Sequence, residues 1–185
     1  MFIQTEDTPN PAALKFLPGK QVLESGVADF TDREGAQRSP LARLLFEIDG
    51  VAGVFLGSDF VTVTKTGDKS WQVLKPMVLG AVMDHFTSGA AVMEGDADDD
   101  AEFTDDGVDP DLIVQIKELI ETRVRPAVAQ DGGDIVYRGF KDGTVFLNLR
   151  GSCAGCPSSS ATLKMGIENM LKHYLPEVQR VEAMA

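Results

Sequence analysis

In the last third of the chain, apolar residues first alternate with polar ones and then recur at helical spacing. This pattern predicts a strand followed directly by a helix. From Thr144 to Arg150, apolar and polar positions alternate, which is typical of a half-buried strand. Pro157 and the three serines after it then favour a helix start. The predicted inner face of that helix consists of Leu163, Ile167, Met170, Leu171 and Tyr174. The loop GSCAGC, from Gly151 to Cys156, therefore joins a strand to a helix N-terminus.

The region before that strand predicts the rest of a small domain with the order α-β-β-α-β. Asp109 caps an amphipathic helix that closes near Pro126. The segment QDGGD, residues 130–134, is a turn whose paired glycines permit positive φ. Residues 135–137 then pair with residues 145–149 as neighbouring strands, and one last short strand precedes the C-terminus.

The first ninety residues predict a second domain with the order β-β-α-β-β-α, so both domains belong to the mixed α/β (α+β) class. Its predicted elements are strands Phe2–Thr5 and Leu14–Leu17, a helix from Pro40 to Gly50, strands Val51–Leu56 and Phe60–Thr66, and a helix from Trp71 to Phe86. The proline-rich segment TPNP, residues 8–11, predicts a rigid turn between the first two strands. His85 lies at the C-terminus of the last helix, where the helix dipole favours a cation, and we interpret it as structural.

An acidic segment separates the two predicted domains. Of the 29 acidic residues, nine lie between Gly89 and Pro110, where there is no Lys or Arg, which leaves 20 acids against 17 bases elsewhere. Such a charge block cannot bury enough apolar surface to fold, so we expect a flexible, solvated linker. The chain therefore divides into a domain over residues 1–88, a linker over residues 89–108 and a domain over residues 109–185.

Charge and hydropathy also exclude some classes of partner. The nearly neutral folded regions lack the basic surface of the usual nucleic-acid-binding protein. No apolar run approaches the ~20 residues that a membrane-spanning helix needs, so we expect no membrane partner. The N-terminal residues resemble neither a signal peptide nor a transit peptide. We therefore expect a cytoplasmic protein, or a protein of the mitochondrial matrix if the source is eukaryotic.

The only two cysteines of the chain, Cys153 and Cys156, stand three positions apart in the GSCAGC loop. At a helix N-terminus, unpaired amides and the positive end of the helix dipole favour thiolate, the form that binds metal or attacks disulfides. Gly151 and Gly155 permit positive φ and close approach of the backbone to an anionic ligand. The loop is thus the candidate for reactive chemistry, and no other group stands out as catalytic.

Four interpretations of the cysteine pair compete. An intramolecular zinc site lacks two ligands, since there is no second CxxC and His173 lies at the far end of the helix, as an ordinary surface residue. A thioredoxin-like thiol-disulfide oxidoreductase suits the helix N-terminus, but that fold needs more elements after its motif. A third interpretation, that both cysteines are unreactive core residues, conflicts with the polar, glycine-rich sequence around them. An iron-sulfur cluster shared between two chains supplies the usual four thiolates, and Arg150 and Lys164 would favour its negative charge.

Two stretches of the sequence resemble a known family. The stretch GSCAGCPSSSATLKMGIENMLKHY, with RPAVAQDGGDIVYRGFKDGTVFLNLR before it, is similar to the C-terminal domain of the NifU/Nfu iron-sulfur cluster scaffold and carrier proteins. The first segment, IQTEDTPNPAALKFLPG, resembles the N-terminal domain of Nfu. The resemblance covers essentially the whole chain outside the linker. The additional cysteine-bearing modules of the full-length nitrogen-fixation scaffold are not in this sequence, which favours a carrier over a site of primary assembly.

The resemblance implies a specific function. Cys153 and Cys156 would ligate a [4Fe-4S] cluster, or alternatively a [2Fe-2S] cluster, with one cluster bridging a homodimer. Upstream cluster assembly proteins would be the donors, and apo iron-sulfur proteins would be the acceptors. The protein would be a carrier rather than an enzyme, with the oxidoreductase as the alternative, and its cluster would be held on a short exposed loop that allows release.

Overall fold

The fold comes from a computed structural model that describes residues 1–95, 105, 107–155 and 157–184, with only the backbone described for residues 157–159. The chain forms two compact units, residues 1–99 and residues 100–185. Both units combine helices with strands, which confirms the mixed α+β class. In the described part of the chain, no helix is long and apolar enough to cross a membrane.

The N-terminal unit is a five-stranded antiparallel sheet with two helices. Its elements are β1 (Gln4–Asp7), β2 (Ala13–Leu17), β3 (Ala28–Phe30), a 3₁₀ turn (Gly35–Arg38), α1 (Pro40–Phe46), β4 (Val51–Leu56), β5 (Val61–Lys65) and α2 (Trp71–Ser88). The strand order is β1-β2-β5-β4-β3, and β4 and β5 form the predicted hairpin. The short edge strand β3 is an element that the hydrophobic pattern did not predict, because three residues are too few to establish an alternation.

The core of this unit lies between the sheet and the two helices, around the fully buried Phe16, Leu41 and Val78. Helix α1 begins where predicted, because the Ser39 hydroxyl accepts a hydrogen bond from the Ala42 amide at 3.1 Å. It ends at Phe46, earlier than the predicted Gly50.

The proline-rich segment forms the turn between β1 and β2, as predicted. The Thr8 hydroxyl donates to the carbonyl oxygens of Asn10 at 2.8 Å and of Ala13 at 2.9 Å. The side-chain oxygen of Asn10, which is buried, accepts from the Ala12 amide at 3.0 Å. These local bonds fix the turn without involving any reactive group.

His85, interpreted as structural from the sequence, is buried near the C-terminal end of α2. Its side chain is 5% exposed and packs edge to face against Phe86, with ring centroids 5.4 Å apart. Burial lowers the pKa of His85 below its usual value of 6.5, because the charged imidazolium would lose its hydration. Desolvation therefore outweighs the favourable helix dipole at this position.

The C-terminal unit places one helical segment and one crossover helix against a three-stranded sheet. Its elements are α3 (Pro110–Leu119), a π-helical turn (Ile120–Val124), α4 (Arg125–Gln130), β6 (Gly133–Lys141), β7 (Thr144–Gly151), α5 (Pro157–Tyr174) and β8 (Arg180–Met184). The sheet order is β6-β7-β8, with β6 antiparallel and β8 parallel to β7. Helix α5 is therefore the crossover between two parallel strands, and it starts at the carboxyl end of β7.

Three local predictions for this unit need correction. The first helical segment continues through Pro126 to Gln130, because the π-helical turn Ile120–Val124 changes the bonding pattern before it and Pro126 falls in the first turn of α4, where proline is tolerated. Of the paired glycines only Gly132 has a positive φ, of 78°. Tyr174 is 46% exposed beneath the Arg123 guanidinium, and Leu175 occupies the core instead.

Half of the predicted linker, residues 96–104 and 106, lies outside the described residues, and the prediction of its flexibility there lies outside them too. Asp105 is described, and it belongs to the C-terminal unit. Its carboxylate accepts from the Tyr137 hydroxyl at 3.0 Å and from the Phe140 amide at 2.9 Å. One acidic residue of the predicted linker therefore binds the edge of β6, next to the irregularity in the pairing of β6 with β7 between Tyr137 and Gly139.

Candidate functional site

The candidate site is the loop between β7 and α5, which backbone hydrogen bonds hold against the start of β6. Gly151, at the end of β7, pairs with Gly133 and has a φ of 63°. The Ser152 amide then donates to the Gly132 carbonyl at 3.2 Å, and the Cys153 amide donates to the Arg150 carbonyl at 3.3 Å. Gly155 also has a positive φ, of 76°, so both loop glycines adopt the conformation predicted for them.

Cys153 lies on the inner side of this loop, and its side chain is only 7% exposed. It is part of the apolar core of the C-terminal unit, with Ile167 and Leu171 of α5 in the same cluster. The expectation of a short exposed loop is therefore wrong for this ligand position. The exposed part of the described loop is Gly155, with Ala154 half-buried beside it.

Burial also sets the protonation state of Cys153. It raises the pKa of the thiol to about 11, the nearby Ser152 side chain partly offsets this rise, and the carboxylates of Asp131 and Asp134 add to it. In the protein without a bound ligand, Cys153 is thus a neutral thiol at pH 7. The predicted preference for thiolate from the helix dipole is overridden by desolvation at this cysteine.

Gly133 makes the burial of Cys153 possible because it has no side chain. A Cβ atom at this position would lie 2.5 Å from the Cys153 sulfur and 2.9 Å from the Arg150 carbonyl oxygen. Any side chain would therefore push the cysteine or the backbone of β7 out of place. The pairing of β6 with β7 makes this contact, and the role predicted for Gly133, a turn with positive φ, was incorrect.

Ser152 fixes the loop from the other side. Its hydroxyl is buried and donates to the Asp131 carbonyl oxygen at 2.5 Å. The GSCAGC loop and the QDGGD segment are thus joined by a side-chain bond as well as by backbone bonds. The sequence shows both segments as polar and glycine-rich but does not reveal that they touch.

An ion pair between Arg125 and Asp134 holds the strand residue that follows Gly133. The Arg125 guanidinium donates two bonds of 2.8 Å to the two carboxylate oxygens of Asp134, which is buried, and a third of 2.8 Å to Glu121. The bond to Asp134 is the main cause of a raised pKa at Arg125, which is charged at any physiological pH. The pair neutralises a buried carboxylate close to Cys153, and no sequence motif predicted it.

The other predicted site residues have different outcomes. Cys156 lies outside the described residues. Arg150 is buried at the base of the loop, whereas Lys164 is bound to Glu182 at 2.9 Å on the side of α5 that faces β8. His173 is on the surface, as predicted. Within the described ranges there is no group of three or more His, Cys, Asp or Glu side chains that could hold a metal ion.

Comparisons with known proteins cover both units. A family model described as the N-terminal domain of scaffold protein Nfu/NifU matches residues 3–89, and one described as a NifU-like domain matches residues 116–182. NifU-like protein 4, mitochondrial, of Arabidopsis thaliana is 54% identical over 98% of this chain and 65% of its own length. The NFU1 iron-sulfur cluster scaffold homolog, mitochondrial, of Homo sapiens is 51% identical over 98% of this chain and 71% of its own length.

Among solved structures, the solution structure of a NifU-like protein from Saccharomyces cerevisiae is 29% identical, with a TM-score of 0.43. The match covers 52% of this chain and 87% of the yeast chain. The chain also spans about two thirds of the length of the curated relatives that it matches.

Proposed function

Because this chain belongs to the Nfu/NifU family of iron-sulfur cluster scaffold proteins, we propose that two copies of it hold one [4Fe-4S] cluster between them and pass it to apoproteins. Cys153 and Cys156 of each copy would be the ligands. The cluster is cargo in this proposal, bound for a time and then surrendered. No third catalytic group is needed, since exchange of one thiolate ligand for another accomplishes the transfer.

The observation that supports the proposal best is the combination of a CxxC loop at the start of α5 with a shortage of ligands in one chain. The sequence has only two cysteines, and the described residues offer no cluster of other metal-binding side chains around Cys153. A cluster usually takes four thiolates, so a second copy related by a two-fold axis would complete the set.

The environment of Cys153 supports a role as the inner ligand. Gly133 lies against its sulfur, and the Ser152 bond and the Arg125–Asp134 pair hold the backbone on either side of that contact. A thiol must lose its proton to bind iron, so cluster loading is coupled to proton release at this residue. An acceptor protein would approach from the side of Gly155, which is exposed, because the opposite side is covered by β6.

The same environment argues against the alternative, a thiol-disulfide oxidoreductase. Such enzymes depend on an exposed thiolate with a lowered pKa, whereas burial raises the pKa of Cys153 to about 11. We therefore propose a carrier rather than an enzyme.

The partners and the compartment follow from the same proposal. Upstream cluster assembly proteins would load the carrier, and apo iron-sulfur proteins would receive the cluster, as [4Fe-4S] rather than [2Fe-2S]. The relatives reported above are named as mitochondrial proteins, which supports the mitochondrial matrix as the site of action and does not support the cytoplasm.

Anaerobic reconstitution with iron and sulfide tests the binding part of the proposal. We expect about two iron atoms per chain, a Mössbauer spectrum of [4Fe-4S] type and a cluster-dependent dimer for the wild type. Cys153→Ser and Cys156→Ser should each lose stable binding, because a dimer of either variant has only two thiolates. A monomer that keeps a full cluster without added thiol would contradict the proposal.

Transfer is tested by mixing the loaded protein with an apo [4Fe-4S] acceptor enzyme in the presence of a strong iron chelator. Direct exchange of ligands never releases iron to solution, so the chelator should barely slow activation of the acceptor. Activation should also be faster than with equimolar free iron and sulfide. If the chelator abolished activation of the acceptor completely, the protein would store clusters rather than transfer them directly.

A further inference from the structure

We propose that the outward face of α5, formed by Ala161, Thr162, Met165, Gly166 and Asn169, is the surface on which a second copy of this chain docks. The inference rests on the proposed function, because the loop at the start of this helix offers two thiolates and a shared cluster needs four. It adds the location of the protein contact that would bring two such loops together.

All five residues of this outward face are exposed, and they form one continuous stripe along the helix. Met165, at the centre of the stripe, is 66% exposed. A Cβ atom on the neighbouring Gly166 would have no atom within 4 Å, so the space outside the helix is open there. The opposite side of α5 is covered, since Ile167 and Leu171 are buried in the core. The outward face therefore lies on the side of α5 that the core leaves uncovered.

The outward face carries no charged residue. The charged side chains of α5 nearest to it are bound within the unit: Lys164 bonds Glu182 at 2.9 Å, and Glu168 bonds both Lys172 at 2.6 Å and the Val181 amide at 3.1 Å. Lys172 and His173 lie towards the far end of the helix, away from the cysteine loop. In a chain that is 25% charged, a stripe without charged residues beside the candidate site can be buried without desolvating a charge, which matches the depletion of charge at interface centres.

The position of the stripe fits a two-fold contact at the cluster. Helix α5 begins at Pro157, directly after the second cysteine, and each residue advances about 1.5 Å along its axis. Ala161 and Met165 therefore lie roughly 6 and 12 Å from the helix start. If two loops share one cluster, the two-fold axis passes through it, and this inference places the starts of the two α5 helices beside that axis. The small side chains of Ala161 and Gly166 let the helix axes approach to the ~8 Å of close helix packing.

A substitution at the centre of the stripe tests this inference, with the full-length protein reconstituted anaerobically. Met165→Glu places a charge in the contact, where two copies of it would face each other across the two-fold axis. Val114→Glu is the matched control, because Val114 is 60% exposed on α3 and is not part of the outward face. We expect wild type and Val114→Glu to form loaded dimers, and Met165→Glu to lose at least tenfold in retained iron and to elute as a monomer.

A second measurement does not depend on the folding of any charged variant. A benzoylphenylalanine photocrosslinker at position 165, in a mixture of ¹⁴N- and ¹⁵N-labelled chains loaded with cluster, should yield mixed-label peptides that join α5 to α5. Loaded dimers of Met165→Glu, or crosslinks only to other elements or to an added acceptor protein, would overturn the inference while the proposed function stands. If wild type and Val114→Glu bind no cluster at all, the proposed function itself fails, and this inference fails with it.

Discussion

The two units of the chain use buried polar groups in different ways. In the N-terminal unit, around an apolar core, the buried polar residues are distributed over a turn, two strands and two helix ends: Asn10, Lys15, Ser39, Thr62 and His85. In the C-terminal unit the buried polar residues Asp134, Arg150 and Ser152 gather around a single loop, beside Cys153. Burying polar groups is costly unless they are bonded, so their concentration at one place marks the loop as the part whose geometry matters for function.

The largest expected effect comes from adding a methyl group at Gly133. Gly133→Ala puts a Cβ 2.5 Å from the Cys153 sulfur, so either the cysteine or the β7 backbone must move. We expect a loss of about 1–3 kcal/mol in the free energy of unfolding of the C-terminal unit and at least a tenfold loss of retained cluster. Chemical denaturation and iron analysis after reconstitution measure the two effects.

Gly80→Ala is the matched control in the N-terminal unit. Gly80 lies inside α2, and an added Cβ would meet no atom within 4 Å. Since alanine favours a helix interior, this change should raise stability by about 0.5–1 kcal/mol and leave cluster binding unchanged. Equal behaviour of the two variants would show that the close approach of Gly133 to Cys153 has no consequence.

A medium effect is expected from breaking the Arg125–Asp134 pair. Arg125→Gln leaves a buried carboxylate without its two-bond partner, which should cost about 2 kcal/mol after allowing for the partial exposure of the arginine. It should also weaken cluster retention, because Asp134 follows the glycine that positions Cys153. Equilibrium unfolding and iron content report on these two properties.

An exposed ion pair of the N-terminal unit serves as the control for Arg125→Gln. Lys69 and Asp49 are 2.7 Å apart, but the carboxylate is almost fully exposed, so solvent screens the pair. Lys69→Gln should therefore leave stability and cluster retention nearly unchanged. If Arg125→Gln proves just as harmless, the pair does not position the loop.

The smallest effect is a pH dependence confined to the N-terminal unit. Burial lowers the pKa of His85 in the folded state, so the folded protein binds a proton less readily than the unfolded chain does. Stability from this residue is therefore fully present above its unfolded pKa of about 6.5 and falls as the pH drops towards the folded pKa. We expect His85→Phe to reduce the loss of stability between pH 7 and pH 5 relative to wild type.

His173 is the matched control for that measurement, because it is exposed on α5 in the C-terminal unit. His173→Phe removes the other histidine of the chain, and because it lies in a different unit it should leave the unfolding of the N-terminal unit as in wild type at each pH. If the stability of the His85→Phe variant falls with pH as steeply as that of wild type, other groups cause the pH dependence of the N-terminal unit.

Local patterns in the sequence were enough to predict most of the elements. The alternation from Thr144 to Arg150 corresponds to β7, Asp109 caps α3 through its bond to the Asp111 amide at 3.0 Å, and Gly151 and Gly155 have positive φ. Each of these features depends on residues within a few positions of one another, so periodicity and capping rules can detect them. The family, too, was identified from contiguous motifs, and the comparisons confirm it.

The environment of the candidate ligand was decided only by tertiary contacts. Cys153 is buried and protonated because Gly133, twenty positions earlier, lies against it, and no local rule links the two. The bond from Arg125 to Asp134 likewise joins a helix to a strand. Helix dipole and loop composition describe one segment at a time, whereas desolvation depends on everything that packs around a group. The sequence by itself therefore determined which residues are the candidate ligands, and the packing of β6 against the loop decided how the described one, Cys153, is held.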